Sequence, residues 1–187
     1  WKFYWVGKEN LRPQSVPAEL NYDMWLGPAP YKPYNEHRVH QTFRGYWDYD
    51  GGGLTDMGQH YMDPVQYLLG KDRTSPVKVE VDAPEQHPDA VGVYKGFRCT
   101  IPDVMEKLAE LPDPEPQNTD FLECVRTRRR FALDEEIGHR SCTLVNMGAC
   151  ALRLNRTLHF DPVSQLFVGD DAANRLVDQP MRRPWQI

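Results

Sequence analysis

The chain has 187 residues, of which 40% are hydrophobic and 26% are charged, and its formal net charge at pH 7 is −5. These values are typical of a soluble globular protein with one hydrophobic core. The acidic balance and the lack of a basic stripe argue against nucleic acid as a partner. The longest apolar stretches are far shorter than the roughly 18 residues that a membrane span requires.

The N-terminal quarter of the chain predicts a strand followed by a long arm. Residues 1–6 alternate aromatic and polar side chains and open without a signal-peptide pattern, so we expect the natural N-terminus to lie upstream. Residues 7–36 are rich in Pro, Gly and Asn, which prevents a long helix. Because this segment also carries many aromatic residues, we expect an extended arm packed on the domain or on a neighbouring subunit, with one short turn at residues 22–26.

A run of three glycines, Gly51 to Gly53, precedes a helical pattern that starts at Leu54 and ends before Gly70. Gly70 suits the left-handed position that often follows a helix. Pro64 interrupts the pattern, and Asp63 followed by Pro64 is a good start for a helix. The sequence therefore allows a kinked helix or two short helices that meet at Asp63.

The middle of the chain contains the clearest strand pattern, at residues 76–83, and a second short strand at residues 91–101. A short amphipathic helix follows at residues 103–111. Residues 112–117 contain three prolines and predict a stiff linker.

The C-terminal part predicts two helices, one strand and a tail. The first helix covers residues 121–129 with Thr119 or Asp120 as its cap, and the second covers residues 138–154 with Asn155 as its left-handed stop. Residues 157–162 form a short strand, and the remainder reads as an acidic, proline-containing tail. The arginine-rich run at residues 126–130 is interpreted as a solvated helix end. The predicted fold class is α+β.

Asp56 and His60 are the candidate catalytic residues, and Asp63 lies close to them in the same helical pattern. On a helix, positions i and i+4 share a face, and i+3 lies on nearly the same stripe. A carboxylate beside an imidazole fixes its tautomer and raises its basicity, which suits a proton shuttle near neutral pH. In this interpretation the glycines let the backbone approach a ligand and leave the helix N-terminus open.

Two other interpretations of this motif stay open. Asp56 fits a structural role in the first helical turn, and His60 then fits a partly buried histidine with ordinary partners. A metal site would use Asp56, His60 and Asp63, with His37 or His40 as further ligands of zinc or manganese. We expect no metal.

Other chemical motifs are weaker. The four cysteines show no CxxC spacing, and we interpret Cys124, Cys142 and Cys150 as buried thiols on helix faces. The glycine run is not a GxGxxG fingerprint, and His139 with Ser141 does not have the spacing of a catalytic triad.

Four segments resemble the C-terminal half of the Gfo/Idh/MocA oxidoreductases, in particular the bacterial, sugar-related branch. They occur in the family's order and together make up about half of the chain: MWLGPAPYKPYN, YWDYDGGGLTDMGQHYMDPVQYLLG, LECVRTRRRFALDEEIGHRSCTLVNMGACALRLNRTLHFDP and ANRLVDQPMRRPW.

This resemblance implies an open, mainly antiparallel sheet with helices on one face. It also implies the substrate-binding and catalytic face of an NAD(P)-dependent sugar or polyol oxidoreductase, which forms a homo-oligomer. Asp56 and His60 match the family's Asp-x-x-x-His motif, so His60 is expected to deprotonate the substrate hydroxyl while Asp56 orients it. Arg44, Trp47, Tyr49 and Asp63 are expected to line the sugar pocket.

The chain departs from the family in two ways. The N-terminal Rossmann domain is absent, so we expect the chain alone to bind NAD or NADP weakly and to be inactive. The stretch near residues 94–97 is shorter than in the family by several strands, so the sheet is expected to be reduced. We expect one C-terminal-type domain, divided into the strand and arm (1–45), the Asp-x-x-x-His helix and sheet (46–111) and the C-terminal helices and tail (118–187).

The alternative function is a non-catalytic module that binds a saccharide or forms oligomers. Cytoplasm and periplasm both stay open as compartments.

Overall fold

The computed structural model describes residues 6–92, 103–114 and 116–185. The predicted N-terminal strand and most of the predicted strand at 91–101 lie outside these ranges, as does Cys99.

The described residues form a small antiparallel sheet of three strands in the order β1-β2-β3. β1 is Lys78–Val79, β2 is Leu158–Asp161 and β3 is Leu166–Phe167. Leu158 and Phe160 of β2 are buried and His159 between them is exposed, as expected when one face of a strand packs on a core. The strand predicted at 157–162 is confirmed, and the one at 76–83 is present but pairs over only two residues.

The helices in the described ranges are α1 (Tyr22–Leu26), α2 (Gly53–Asp56), α3 (Gln59–Leu68), α4 (Val104–Ala109), α5 (Phe121–Thr127), α6 (Glu135–Leu154) and α7 (Asp171–Val177). Of these, α6 and α7 pack on the sheet. Two 3₁₀ helices, Glu36–Arg38 and His40–Gly45, lie between α1 and α2. None of the helices in the described ranges is both long and apolar enough to cross a membrane.

α6 is the central helix of the fold. Asp134 caps its N-terminus by accepting a hydrogen bond from the Ile137 amide (3.0 Å), and Asn155 ends it with a φ of 50°. The inner face of α6 packs on the sheet through Met147 and Ala151, which join Leu158, Phe160 and Phe167 in one buried cluster. The left-handed stop at Asn155 confirms the prediction, whereas the helix begins three residues before the predicted Gly138.

A second face of α6 carries the glycine-rich region. Leu152 of α6 joins Trp47, Leu54 and Val91 in a separate buried cluster, and both α2 and α3 pack on α6. This arrangement packs the loop that precedes α2 against α6, the longest of the described helices.

The arm packs on its own domain. Tyr22, Leu26, Tyr34 and Val39 form a third buried cluster, with the rings of Tyr22 and Tyr34 in edge contact at 5.3 Å. Arg182 in the C-terminal tail holds the arm, because its Nη1 lies 2.6 Å from Asp23 Oδ1. The segment predicted as a short turn at 22–26 is a short helix, α1.

Candidate active site

The loop before α2 is a tight turn built around one carbonyl. The backbone amides of Tyr49, Asp50 and Gly51 all donate to the Tyr46 oxygen, at 3.1, 3.1 and 3.2 Å. Gly51 and Gly52 follow with φ of 94° and 78°, a region that L side chains rarely adopt. A Cβ on Gly52 would lie only 2.6 Å from Val91 Cγ1. The close approach that these glycines permit is therefore to Val91 of the same chain.

The predicted helix from Leu54 onward is interrupted earlier than expected. α2 ends at Asp56 and α3 begins at Gln59, whereas Pro64 lies inside α3. The backbone amide of His60 donates to Met57 O (3.1 Å) instead of to Asp56 O, the acceptor that a continuous helix would provide. Of the two predicted alternatives, two helices that meet at Asp63 are not found, because Pro64 lies inside α3 and the break comes earlier. The ideal i, i+4 geometry does not apply to Asp56 and His60.

The structure pairs Asp56 with Arg44. Arg44 Nε donates to Asp56 Oδ1 at 3.3 Å, and both side chains are partly buried. Arg44 lies at the end of the 3₁₀ helix His40–Gly45, and its guanidinium stacks over the Phe43 ring at 4.9 Å. Two of the predicted site residues are thus brought together as an ion pair.

Asp50 is a site residue that the sequence analysis missed. Its Oδ2 is buried and has no hydrogen-bond partner among the described residues. Burial, and next the nearby negative charge of Asp56, raise the pKa of Asp50 to about 6, while Arg44 opposes this shift. A carboxyl group directly before three glycines was the available signal.

Trp47 and Tyr49 contribute to different cavities. Trp47 is buried, donates from Nε1 to the His87 carbonyl (2.9 Å) and lines the same cavity as Asp50. Tyr49 makes an edge contact with Trp25 at 5.2 Å and lines a second cavity. Burial raises the pKa of Tyr49 above its ordinary value.

The first cavity has a volume of about 410 Å³ and lies between the glycine turn, α6 and α7. Its polar lining comes from Asp50, Thr55, His139, Thr143, Asn146, Arg153, Gln165 and Gln179. The second cavity has a volume of about 510 Å³ and lies between the arm and the C-terminal tail. Its lining is mostly aromatic and apolar: Trp25, Leu26, Pro28, Ala29, Pro30, Phe43, Tyr49, Pro180 and Met181, together with Asp48 and Gln179.

His60 and Asp63 line neither of these two cavities. His60 is exposed near the start of α3, and Asp63 is half-buried one turn later. An exposed imidazole is free to meet a ligand that approaches from outside this part of the chain.

A network of charges fixes the segments around the turn. Asp89 accepts from Arg38 (2.7 Å) and lies 3.2 Å from the Lys32 ammonium. Burial alone would raise the pKa of Asp89, but these two cations more than offset it and lower the pKa. Asp48 bridges the arm and α6, since it lies 3.6 Å from Lys32 Nζ and 3.4 Å from Arg153 Nη2. The ion pairs therefore connect the arm, the turn and α6.

Of the two other histidines considered as metal ligands, His37 is used within the fold and His40 is exposed. His37 Nδ1 lies 2.7 Å from the Tyr46 hydroxyl, and burial lowers the pKa of His37. His40 is exposed and has a φ of 52°. Within residues 6–92, 103–114 and 116–185, no three His, Cys, Asp or Glu side chains come together in a way that would hold a metal ion.

The cysteines in the described part of the chain are free thiols. Cys124 is buried as predicted and Cys150 is partly buried, but Cys142 is exposed. The prediction of a buried Cys142 is wrong, since its side chain is exposed and lines the first cavity.

Comparison with known proteins identifies one family. The family model described as the C-terminal alpha/beta domain of the Gfo/Idh/MocA oxidoreductase family matches residues 1–94 and 92–187. The two matched pieces meet where the sequence analysis expects part of the family's sheet to be missing. No curated protein gives a significant match to the chain.

Proposed function

Because the chain belongs to the Gfo/Idh/MocA oxidoreductase family as its C-terminal alpha/beta domain, we propose that it is the substrate-binding and catalytic face of an NAD(P)-dependent enzyme that oxidises a sugar or polyol. The observation that carries this proposal is the group of charged residues at the glycine turn. Arg44, Asp50 and Asp56 lie beside one another there, and the exposed His60 begins the next helix.

In this proposal His60 accepts the proton of the substrate hydroxyl. Its exposed ring on α3 is accessible to a ligand held between this domain and a second one. An imidazole is the side chain best matched to proton transfer near neutral pH. Asp56 acts differently from the sequence-based expectation, because its carboxylate is bound by Arg44 and so holds that guanidinium in place.

The remaining predicted residues take binding roles. Arg44 presents a planar fork of donors that suits hydroxyl oxygens, and Asp63 lies one turn from His60 on α3. Trp47 and Tyr49 contribute aromatic surface on opposite sides of the turn, which suits the apolar C–H faces of a carbohydrate.

The described residues do not themselves form a dinucleotide cradle. Their sheet is antiparallel and its three strands are not linked by the glycine-rich strand–helix turn that binds a pyrophosphate. The proposal therefore assigns NAD or NADP to a separate nucleotide-binding domain, and this chain alone is expected to be inactive. Assembly with that domain would also cover the exposed end of α3.

The test uses the protein together with its nucleotide-binding domain. NAD(P)⁺ reduction is measured against a panel of sugars and polyols, and His60→Ala is expected to lower kcat/KM by about 100-fold or more. His159→Ala is the matched control, since His159 is equally exposed but lies on β2.

Both variants should retain the wild-type unfolding temperature. Turnover of His60→Ala close to that of the wild type would remove His60 from the mechanism. Saccharide binding without turnover, in the wild type as well as in the variant, would favour the alternative, a non-catalytic binding or oligomerisation module.

A further inference from the structure

Two neighbouring segments of the chain carry equal and opposite charge. Residues 103–113, which contain α4 and are called here the acidic segment, have four carboxylates and one lysine, a net charge of −3. Residues 121–131, which contain α5 and are called the basic segment, have four arginines and one glutamate, a net charge of +3. The site described above uses neither segment.

Both segments also expose large apolar side chains. In the acidic segment Met105 is 75% exposed and Leu111 is 41% exposed. In the basic segment the exposed fractions are 61% for Phe121, 64% for Leu122 and 48% for Val125. Among the described residues neither α4 nor α5 packs broadly on another helix or strand. Several large apolar side chains exposed beside charged ones are typical of a protein–protein contact.

The fold uses only part of this charge. Arg130 pairs with Asp134, and Arg126 lies 3.9 Å from Glu123. Arg128 and Arg129 make no ion pair with the described residues, and both are exposed. On the acidic segment Glu106 and Glu110 are likewise exposed and make no ion pair with the described part of the chain. Each segment therefore keeps unpaired charges beside its apolar side chains.

We propose that these segments form a reciprocal interface between two copies of the chain, with the acidic segment of one copy seated on the basic segment of the other. A twofold axis makes both contacts at once, because each copy supplies one acidic and one basic surface. The match in charge, −3 against +3, identifies a second copy as the occupant: every such copy presents the complementary surface. Within one chain the two segments remain exposed, so they are available for this contact.

The two kinds of surface have separate effects on association. Burial of Met105, Leu111, Phe121, Leu122 and Val125 stabilises the dimer, since apolar area leaves water. The opposite charges orient the two copies and exclude a pairing of like segments. Because the charges are exposed, the dissociation constant should rise with ionic strength.

The test is a charge exchange on the full chain, followed by sedimentation equilibrium. The wild type should be a dimer whose Kd increases with salt. Arg126→Glu with Arg129→Glu makes both segments acidic, and Glu106→Arg with Glu110→Arg makes both basic. Each double variant should raise Kd by at least about ten-fold, which corresponds to about 1.4 kcal/mol. Circular dichroism confirms that the variants are folded.

An equimolar mixture of the two double variants separates this interface from any other. In the mixture every acidic segment meets a basic one, so a heterodimer of near wild-type affinity should form. Arg175→Glu is the control. It reverses the charge of an exposed arginine on α7, outside both segments, and should leave Kd unchanged. A monomeric wild type, a dimer insensitive to both charge reversals, or a mixture that stays monomeric would each overturn the proposal.

Discussion

Arg44 Nε lies 3.3 Å from Asp56 Oδ1, so the carboxylate that follows the glycine turn is bound by a guanidinium. The same two residues act in opposite directions on Asp50, since the charge of Asp56 raises its pKa and that of Arg44 lowers it. Burial is the largest effect, and the pKa of Asp50 rises from 3.8 to about 6. The site therefore keeps a carboxyl group that is costly to ionise, as functional sites often do.

Asp50→Asn should stabilise the protein at neutral pH and have little effect in acid. The folded state binds the Asp50 proton more tightly than the unfolded state. Below pH 3.8 the carboxyl group is protonated in both states, so it does not lower the free energy of unfolding there. The free energy of unfolding falls as the pH rises from 3.8 to about 6, and the whole of this loss remains at higher pH. Two pKa units correspond to about 3 kcal/mol, which we reduce to about 1–2 kcal/mol because Asp50 is partly exposed.

Urea unfolding of Asp50→Asn and the wild type at pH 3.5 and pH 8 measures this effect. Asp82→Asn removes an exposed carboxylate outside the site and should show no such difference between the two pH values. An equal gain for Asp50→Asn at both pH values would mean that the carboxyl group is not strained by ionisation.

Gly52→Ala should destabilise the fold much more than Gly70→Ala. Gly52 has φ 78° and ψ −161°, and its added Cβ would lie 2.6 Å from Val91 Cγ1. Gly70 has a φ of 60° with no atom within 4 Å of an added Cβ. We expect a loss of about 1 kcal/mol at Gly70 from backbone strain alone, and of about 2–4 kcal/mol at Gly52 from strain and overpacking.

Chemical denaturation of both variants and of Gly52→Ala with Val91→Ala checks this comparison. The double variant should recover part of the loss, measured against Val91→Ala alone, because the methyl group then has room. Equal losses at the two glycines would show that the contact with Val91 is not what requires glycine.

Local sequence signals predicted the elements whose ends are set by a single residue. The helix that begins at Phe121, for which Thr119 or Asp120 was the expected cap, and the left-handed ends at Gly70 and Asn155 follow from capping chemistry. The family was also evident from the sequence, since four segments occur in the family's order, and the family match supports it.

The elements that depend on tertiary contacts were missed. β3 has only two residues and exists because it pairs with β2, while the Asn174 side chain binds both the amide and the carbonyl of Phe167. The segment of α7 was interpreted as an acidic tail, and Asp170 was not recognised as its N-cap. These interactions join residues several positions apart and leave little periodicity in the sequence.

Tertiary contacts also explain why the position of the helix break near the site was predicted wrongly. Pro64 was taken as the helix breaker, but it lies inside α3 and removes only one backbone hydrogen bond there. The break occurs at Met57 and Gly58, where an added Cβ on Gly58 would lie 2.0 Å from Leu54 O. The Arg44–Asp56 pair joins residues 12 positions apart on separate elements. Helical spacing alone does not reveal such a contact.

Asp134 should be the most important cap of the fold, because it begins the central helix α6. Its Oδ1 accepts from the Ile137 amide at 3.0 Å, and its Oδ2 accepts from Arg73 at 3.2 Å and from Arg130. The Ile137 hydrogen bond, followed by the two arginines, lowers the pKa of Asp134 to about 2. Asp134→Ala is expected to lower the free energy of unfolding by about 1–2 kcal/mol at pH 7.

Asp134→Asn keeps the cap acceptor and loses only the charge, so it should cost about a few tenths of a kcal/mol, since ion pairs with exposed arginines such as Arg73 and Arg130 contribute little. The folded pKa lies below the unfolded 3.8, so the charge stabilises the fold above pH 3.8 and ceases to do so as the pH falls toward about 2. Urea unfolding at pH 7 and pH 2 should therefore show the difference between wild type and Asp134→Asn shrinking in acid. If Asp134→Asn were as unstable as Asp134→Ala at pH 7, the ion pairs with Arg73 and Arg130 would be the main contribution instead of the cap.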